Sequence, residues 1–182
     1  TIVPGTEGPY RSTRNHLTGT MIKRTMLLVA IATSALAFSG CKKSSPEGCG
    51  YSESTLVAPA SEVATLQAYI TANHPTAIQH PSGLFYEITA PGSGANPSIC
   101  SKVTVKYSGY LTTGAKFDEN LTGVTFSLGD LIVGWQKGLP LVKKSGSITL
   151  YIPPSLGYGN RPVGSIPANS YLVFYIQLVD VQ

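Results

Sequence analysis

The sequence predicts an α+β domain, a curved antiparallel β-sheet forming a half-barrel around one short helix. Three observations carry this expectation. Residues 102–111, 147–152 and 171–181 alternate apolar and polar side chains with a period of two, as antiparallel strands with one face on a core do. Within the strand-rich half, only "VGWQKGLPLV" (133–142) offers a helix, and a short one. No internal repeat suggests a solenoid or a propeller.

The elements follow in chain order. Residues 1–20 precede Met21 and carry no periodicity; they are expected to be an upstream extension. From Met21 the chain reads "MIKRTMLLVAIATSALAFSGC". Lys23 and Arg24 make a basic start, and Met26 to Phe38 is apolar. The run is shorter than the roughly 20 residues of a membrane span, and it fits a secretory signal peptide over 21–40. The ending "FSGC" resembles a bacterial lipobox, with Phe38 where leucine is usual. It marks Cys41 for lipidation, the alternative being an ordinary signal peptide with an incidental cysteine. The expected location is the bacterial cell envelope, lipid-anchored at the outer membrane and facing the periplasm.

Residues 41–60 are rich in Ser, Pro and Gly and are expected to form a tether. Residues 61–82 hold a helix and a connector. Ser61 is the expected N-cap, Glu62 suits the first turn, and Val63, Leu66 and Ile70 share one face up to Pro75. That stripe is expected to pack on the domain, with a dimerisation helix as the alternative. The domain itself is assigned to 83–182. "LFYEIT" (84–89) opens it as a strand, and "APGSGANPS" follows as a loop. In the later strands Val103, Val105, Tyr107 and Leu111 share a face, as do Ile148, Leu150 and Ile152, and Leu172, Phe174, Ile176 and Leu178.

Charge and cysteine usage exclude several functions. Most of the net charge of +4 arises in the leader. Arg11, Arg14, Lys23 and Arg24 lie there with only Glu7, leaving nine basic and eight acidic residues from Cys41 onward. A nearly neutral body makes nucleic acid a poor partner. The three histidines lack zinc-ligand spacing and no CxxC occurs, so neither a metal nor any other cofactor is expected. With Cys41 lipidated, Cys49 and Cys100 remain, either as a disulfide or as two unpaired thiols. An oxidising compartment favours the disulfide.

The domain carries no nucleophile–base set. Asp118 and Glu119 are adjacent, so on an extended strand they point to opposite faces. What the domain does carry is aromatics at separated places: Tyr107, Phe117, Phe126, Trp135, Tyr158 and Phe174. "IPPSLGYGNRPVGSIPAN" (152–169) adds a loop rich in proline and glycine whose single charge is Arg161.

Four segments in order, "VTVKYSGYLTTGAKFDEN", "FSLGDLIVGWQKGL", "SGSITLYIPPSLGYG" and "SIPANSYLVFYIQLVDV", together resemble an FKBP-type peptidyl-prolyl cis–trans isomerase over about residues 83–182. The resemblance implies a pocket and a role for each matching position. Tyr107 lines it, Phe117 is a wall, and Asp118 stands near the bound peptide. Leu131 and Ile132 border it, with the Ile132 N–H available, and Trp135 is its floor. Tyr158 donates to a substrate carbonyl, and Ile166 and Phe174 close the far wall. Phe126 is a further substrate-binding residue. Val124 and Ser165 depart from the family's usual aromatic and apolar residues. The implied partners are proline-containing polypeptides and a macrolide inhibitor. The implied function is assisting protein folding. A non-catalytic binding or chaperone module, or a receptor for one partner, would use the same groove.

Rotation about an X–Pro bond needs no nucleophile. Its barrier of about 18–20 kcal/mol comes from amide resonance. A twisted amide loses double-bond character and its carbonyl becomes less polar, so an apolar pocket favours it over the planar form.

Overall fold

The structure is a computed structural model and describes residues 48–182. The upstream extension, the signal segment, Cys41 and the start of the tether lie outside the described residues. The elements are α1 (Ala60–Asn73), β1 (Ile78–Gln79), β2 (Phe85–Ala90), β3 (Lys102–Leu111), β4 (Lys116–Ser127), α2 (Val133–Gly138), β5 (Ser147–Ile152) and β6 (Leu172–Val181). The six strands form one antiparallel sheet in the order β1-β2-β5-β6-β3-β4. Register shifts interrupt β2/β5, β3/β4 and β3/β6, and an extra residue of this kind bends a strand. The α+β architecture expected from the alternation is the one observed.

Side chains of alternate parity separate two cores. On one face Val103, Val105, Ile148, Leu150, Ile152, Leu172, Phe174, Ile176 and Leu178 gather around Trp135 and Leu139. Helix α2 lies close against β5 here because it presents glycines. A Cβ on Gly134 would sit 2.6 Å from Ile152 Cδ1, and one on Gly138 2.5 Å from Leu150. On the other face Phe85, Tyr151 and Val173 meet Leu66 and Ile70 of α1. Each of these two α1 side chains is fully buried and contributes roughly 2 kcal/mol.

Two expectations need correction. β5 is not half-buried: from Ile148 to Ile152 every residue is buried, because α1 covers the second face at Tyr151. Nor is Ser61 the N-cap. Helix α1 starts at Ala60 behind Pro59, with no side-chain cap. Ala58 is buried and its N–H bonds Ser82 O at 2.9 Å, which fixes where the chain turns into the helix. Ser61 already lies in the first turn, where its carbonyl accepts the Thr65 hydroxyl at 3.0 Å.

Part of the stretch assigned as tether lies on the domain. Cys49 is disulfide-bonded to Cys100, with Cα atoms 5.6 Å apart. Tyr51 and Ala58 both make contacts with it. Among the described residues no helix is long and apolar enough to cross a membrane.

Candidate active site

On the face that carries α2, a cavity of about 360 Å³ opens between β3, β4, α2 and the loop after β5. Tyr107, Asp118, Phe126, Asp130, Leu131, Ile132, Trp135, Tyr158 and Phe174 line it. Its size suits a peptide side chain or a small ring.

Trp135 forms the floor. It is 4% exposed, and its ring meets the Tyr107 ring edge-on at 5.3 Å and the Phe174 ring at 5.2 Å. Such edge contacts contribute about 0.5–1.5 kcal/mol each beyond area. Tyr107 projects from β3, and its hydroxyl donates to Asp118 Oδ2 at 2.6 Å. The second oxygen of Asp118 accepts the Glu119 N–H at 2.9 Å. Burial, reinforced by the Asp118 carboxylate, pushes the Tyr107 hydroxyl well above its ordinary range, so it stays a donor. Tyr158 is half-buried, and its hydroxyl makes no hydrogen bond among the described residues. Burial and then the charge of Asp118 raise its pKa as well.

The loop that carries Tyr158 is built by its prolines and glycines. β5 ends at Ile152 ahead of Pro153 and Pro154. Gly159 has φ +63°, a left-handed conformation that suits glycine. Gly157 does not (φ −108°); it is small because a Cβ would lie 2.9 Å from Leu172.

Eight of the expected pocket residues line the cavity: Tyr107, Asp118, Phe126, Leu131, Ile132, Trp135, Tyr158 and Phe174. Among the described residues the N–H of Ile132 makes no backbone hydrogen bond, while its carbonyl accepts from Trp135 and Gln136 at the start of α2. Phe117 and Ile166 are not among the residues that line the cavity. Phe117 packs edge-on against Phe174, with ring centroids 5.4 Å apart. It reaches there across Gly109, where a Cβ would lie 2.7 Å from its ring. Ile166 is 6% exposed and sits in the core, tied to Val163 by a pair of 2.9 Å backbone bonds. This pair closes a turn within the loop.

Asp118 is not the cavity's only carboxylate. Asp130 lines it too, and its Oδ1 accepts the Tyr51 hydroxyl at 2.6 Å. Nothing in the sequence pairs residues 79 positions apart, so this contact was not legible there. The site therefore offers an aromatic floor and walls, two carboxylates and, uncommitted among the described residues, the Tyr158 hydroxyl and the Ile132 N–H. No histidine, cysteine or serine is among the lining residues, so the arrangement suits binding and desolvation of a neutral group.

Comparison with known proteins agrees with this chemistry. The family model described as FKBP-type peptidyl-prolyl cis-trans isomerase matches residues 94–179. The solved structure titled "Crystal structure of AtFKBP13" is 30% identical, with a TM-score of 0.53; the match covers 58% of this chain and 98% of that one. The chain belongs to the FKBP-type peptidyl-prolyl cis–trans isomerase family. Among FKBP-type relatives, the isomerase FkpA of Buchnera aphidicola (Schizaphis graminum) is 44% identical over 105 residues, 56% of this chain and 42% of the relative. The crystal structure of FkpA from Escherichia coli is 38% identical at a TM-score of 0.61, covering 68% of this chain and 60% of that one. The chain spans less than half the length of the curated relatives it matches. Helix α1 and the segment before it lie upstream of the FKBP-type family match.

Proposed function

We propose that this chain catalyses cis–trans isomerisation of X–Pro bonds in polypeptides crossing the bacterial envelope, and so assists their folding. The observation that carries the proposal is the cavity over Trp135. It is walled by Tyr107, Phe126 and Phe174, and among the described residues the Tyr158 phenol has no partner and no thiol, serine or histidine lines the cavity.

The proline ring enters over the Trp135 indole. Apolar walls replace water around the amide, which favours the twisted state because its carbonyl is less polar. Tyr158 donates to a substrate carbonyl and the Ile132 N–H holds a second one. Asp118, kept in place by Tyr107, stands beside the turning bond. Each tenfold in rate needs only about 1.4 kcal/mol of preference for the twisted amide. A few contacts of this kind suffice for several orders of magnitude. The same cavity takes a macrolide inhibitor.

Residues 21–40 act as a lipoprotein signal in this proposal, and Cys41 carries the lipid that holds the domain at the outer membrane facing the periplasm. The supporting observations are Lys23 and Arg24, the uncharged run after them, and "FSGC". The activity is tested on a proline-limited refolding reaction. Catalytic amounts of the chain should accelerate the slow phase, and a macrolide should block that acceleration. An unchanged slow phase, with the chain folded, contradicts the proposal.

A further inference from the structure

The family match begins at residue 94, yet two contacts on the cavity walls come from upstream of it. We propose that the segment 48–73 holds the substrate pocket in its binding shape, with Tyr51 and Glu62 as positioning residues for two of its walls. This rests on the isomerase function proposed above.

The first wall is the turn Leu128–Asp130, which runs directly into Leu131 and Ile132. Tyr51 grips it from outside. Its hydroxyl donates to Asp130, and its ring lies so close over Gly129 that a Cβ there would collide with it. Gln136 grips the same stretch from α2, donating to Gly129 O at 3.1 Å and Leu131 O at 2.7 Å. The anchorage of Tyr51 is local. Cys49, two residues earlier, is bonded to Cys100, and the carbonyl of the next residue, Ser101, accepts the Leu128 N–H at 2.9 Å. Disulfide, tyrosine and wall therefore close around one corner of the domain.

The second wall is the loop that carries Tyr158. Glu62 Oε2 accepts the Ser155 N–H at 2.9 Å across 93 positions of sequence. Ser155 lies in the turn Pro154–Leu156. The N–H groups of Gly157 and Gly159 both return to Pro154 O, at 2.9 and 2.8 Å, so a shift of this turn moves Tyr158 between them. Helix α1 is a firm base for Glu62, because Leu66 and Ile70 are fully buried against the sheet. A pocket that works by fit loses rate when its walls move by a fraction of an ångström. The two contacts act on walls that carry Leu131, Ile132 and Tyr158, which is where movement would be felt.

The test uses the full chain with Tyr51→Phe, Glu62→Ala, Glu62→Gln and the paired Cys49→Ser and Cys100→Ser change. Three quantities are read: kcat and KM on an X–Pro peptide, peptide Kd, and the urea midpoint. Trp135 is the chain's single tryptophan and lies on the pocket floor, so its fluorescence reports Kd without reference to activity. Losing one hydrogen bond to a wall should raise KM and Kd by about three- to tenfold in Tyr51→Phe and Glu62→Ala, with kcat changing less. Glu62→Gln keeps an acceptor and should restore both values. The paired cysteine change should behave like Tyr51→Phe. If Kd and KM stay at the wild-type values while only the urea midpoint falls, the segment is purely structural and the inference is overturned. If wild type binds the peptide but does not isomerise it, the enzymatic proposal fails separately; Kd then decides the inference alone.

Discussion

Two tyrosines face one cavity, and their hydroxyl groups are predicted to do different work. Tyr107 spends its hydroxyl inside the protein, on Asp118 at 2.6 Å. Tyr158 spends its own on nothing among the described residues. Removing each oxygen alone, as Tyr107→Phe and Tyr158→Phe, leaves both rings in place. For Tyr107→Phe the loss is a hydrogen bond to a carboxylate, about 1.5–3 kcal/mol where both partners are buried. Here Asp118 is exposed, so water replaces much of it, and a stability loss of about 1 kcal/mol is expected. The rings that meet Trp135 are untouched, so activity falls less than the Tyr158 change makes it fall. For Tyr158→Phe stability should stay within about 0.5 kcal/mol. A bond made only to the twisted substrate and worth roughly 1–1.5 kcal/mol corresponds to about a tenfold loss in kcat/KM. Urea denaturation gives the first quantity and X–Pro peptide kinetics the second. The reasoning is refuted if the two variants behave alike, or if Tyr158→Phe loses stability and keeps its rate.

Other outcomes follow from the same geometry. Trp135→Ala removes a floor ring in contact with Tyr107 and Phe174 and should cost about 3–5 kcal/mol in urea denaturation, together with peptide binding; a change under 1 kcal/mol would remove the indole from the core. The pKa values of Tyr107 and Tyr158 are both raised by burial, so both groups remain donors through neutral pH, and kcat/KM should show no alkaline limb before about pH 10. The Glu87 carboxyl is held below its ordinary value: burial pushes it up, but bonds from Thr76 and Tyr151 and the nearby His74 outweigh that. Its contribution is therefore present above the unfolded value of 4.5 and lost as pH falls through the lower folded value, so Glu87→Gln should unfold at lower urea than wild type at pH 7 and converge with it in acid. Metabolic labelling with a fatty acid should tag the wild type and not Cys41→Ala; equal labelling of both would remove the lipid anchor.

Sequence pattern carried the centre of the fold better than its margins. β3, β5 and β6 were legible because each sends alternate apolar side chains into the core around Trp135, even though Tyr151 of β5 and Val173 of β6 pack on α1 from the other face, and "VGWQKGLPLV" stood out as the one helix among them. β4 is an edge strand. Leu121 is 63% exposed and most of its neighbours are polar, so no period of two survives to be read. β1 is only two residues long, too short to carry a pattern; only the turn residues Pro81, Ser82 and Gly83 hint at the hairpin that pairs it with β2. In the site, residues adjacent to strong local wording were legible, while those that depend on distant partners were not. Asp130 is one residue from Leu131, but what ties it down is Tyr51, in a stretch whose Ser, Pro and Gly content suggested a free tether. Ser61 looked like a cap because its chemistry is right; a buried Ala58 one turn earlier sets the helix start instead. Ile166 was ambiguous in another way. Its apolar character suited a pocket wall equally well as the core that receives it.

The central claim is that an apolar cavity bordered by the Tyr158 phenol turns X–Pro bonds without bond chemistry. The most direct measurement is cis–trans exchange in a panel of X–Pro peptides, followed by NMR with catalytic amounts of the full chain. The account predicts exchange far faster than the uncatalysed rate of tens to hundreds of seconds, inhibited when a macrolide occupies the cavity and insensitive to reagents that modify thiols or histidines. A folded chain that binds these peptides over Trp135, yet leaves their exchange at the uncatalysed rate, would contradict it and make the cavity a peptide-binding site alone.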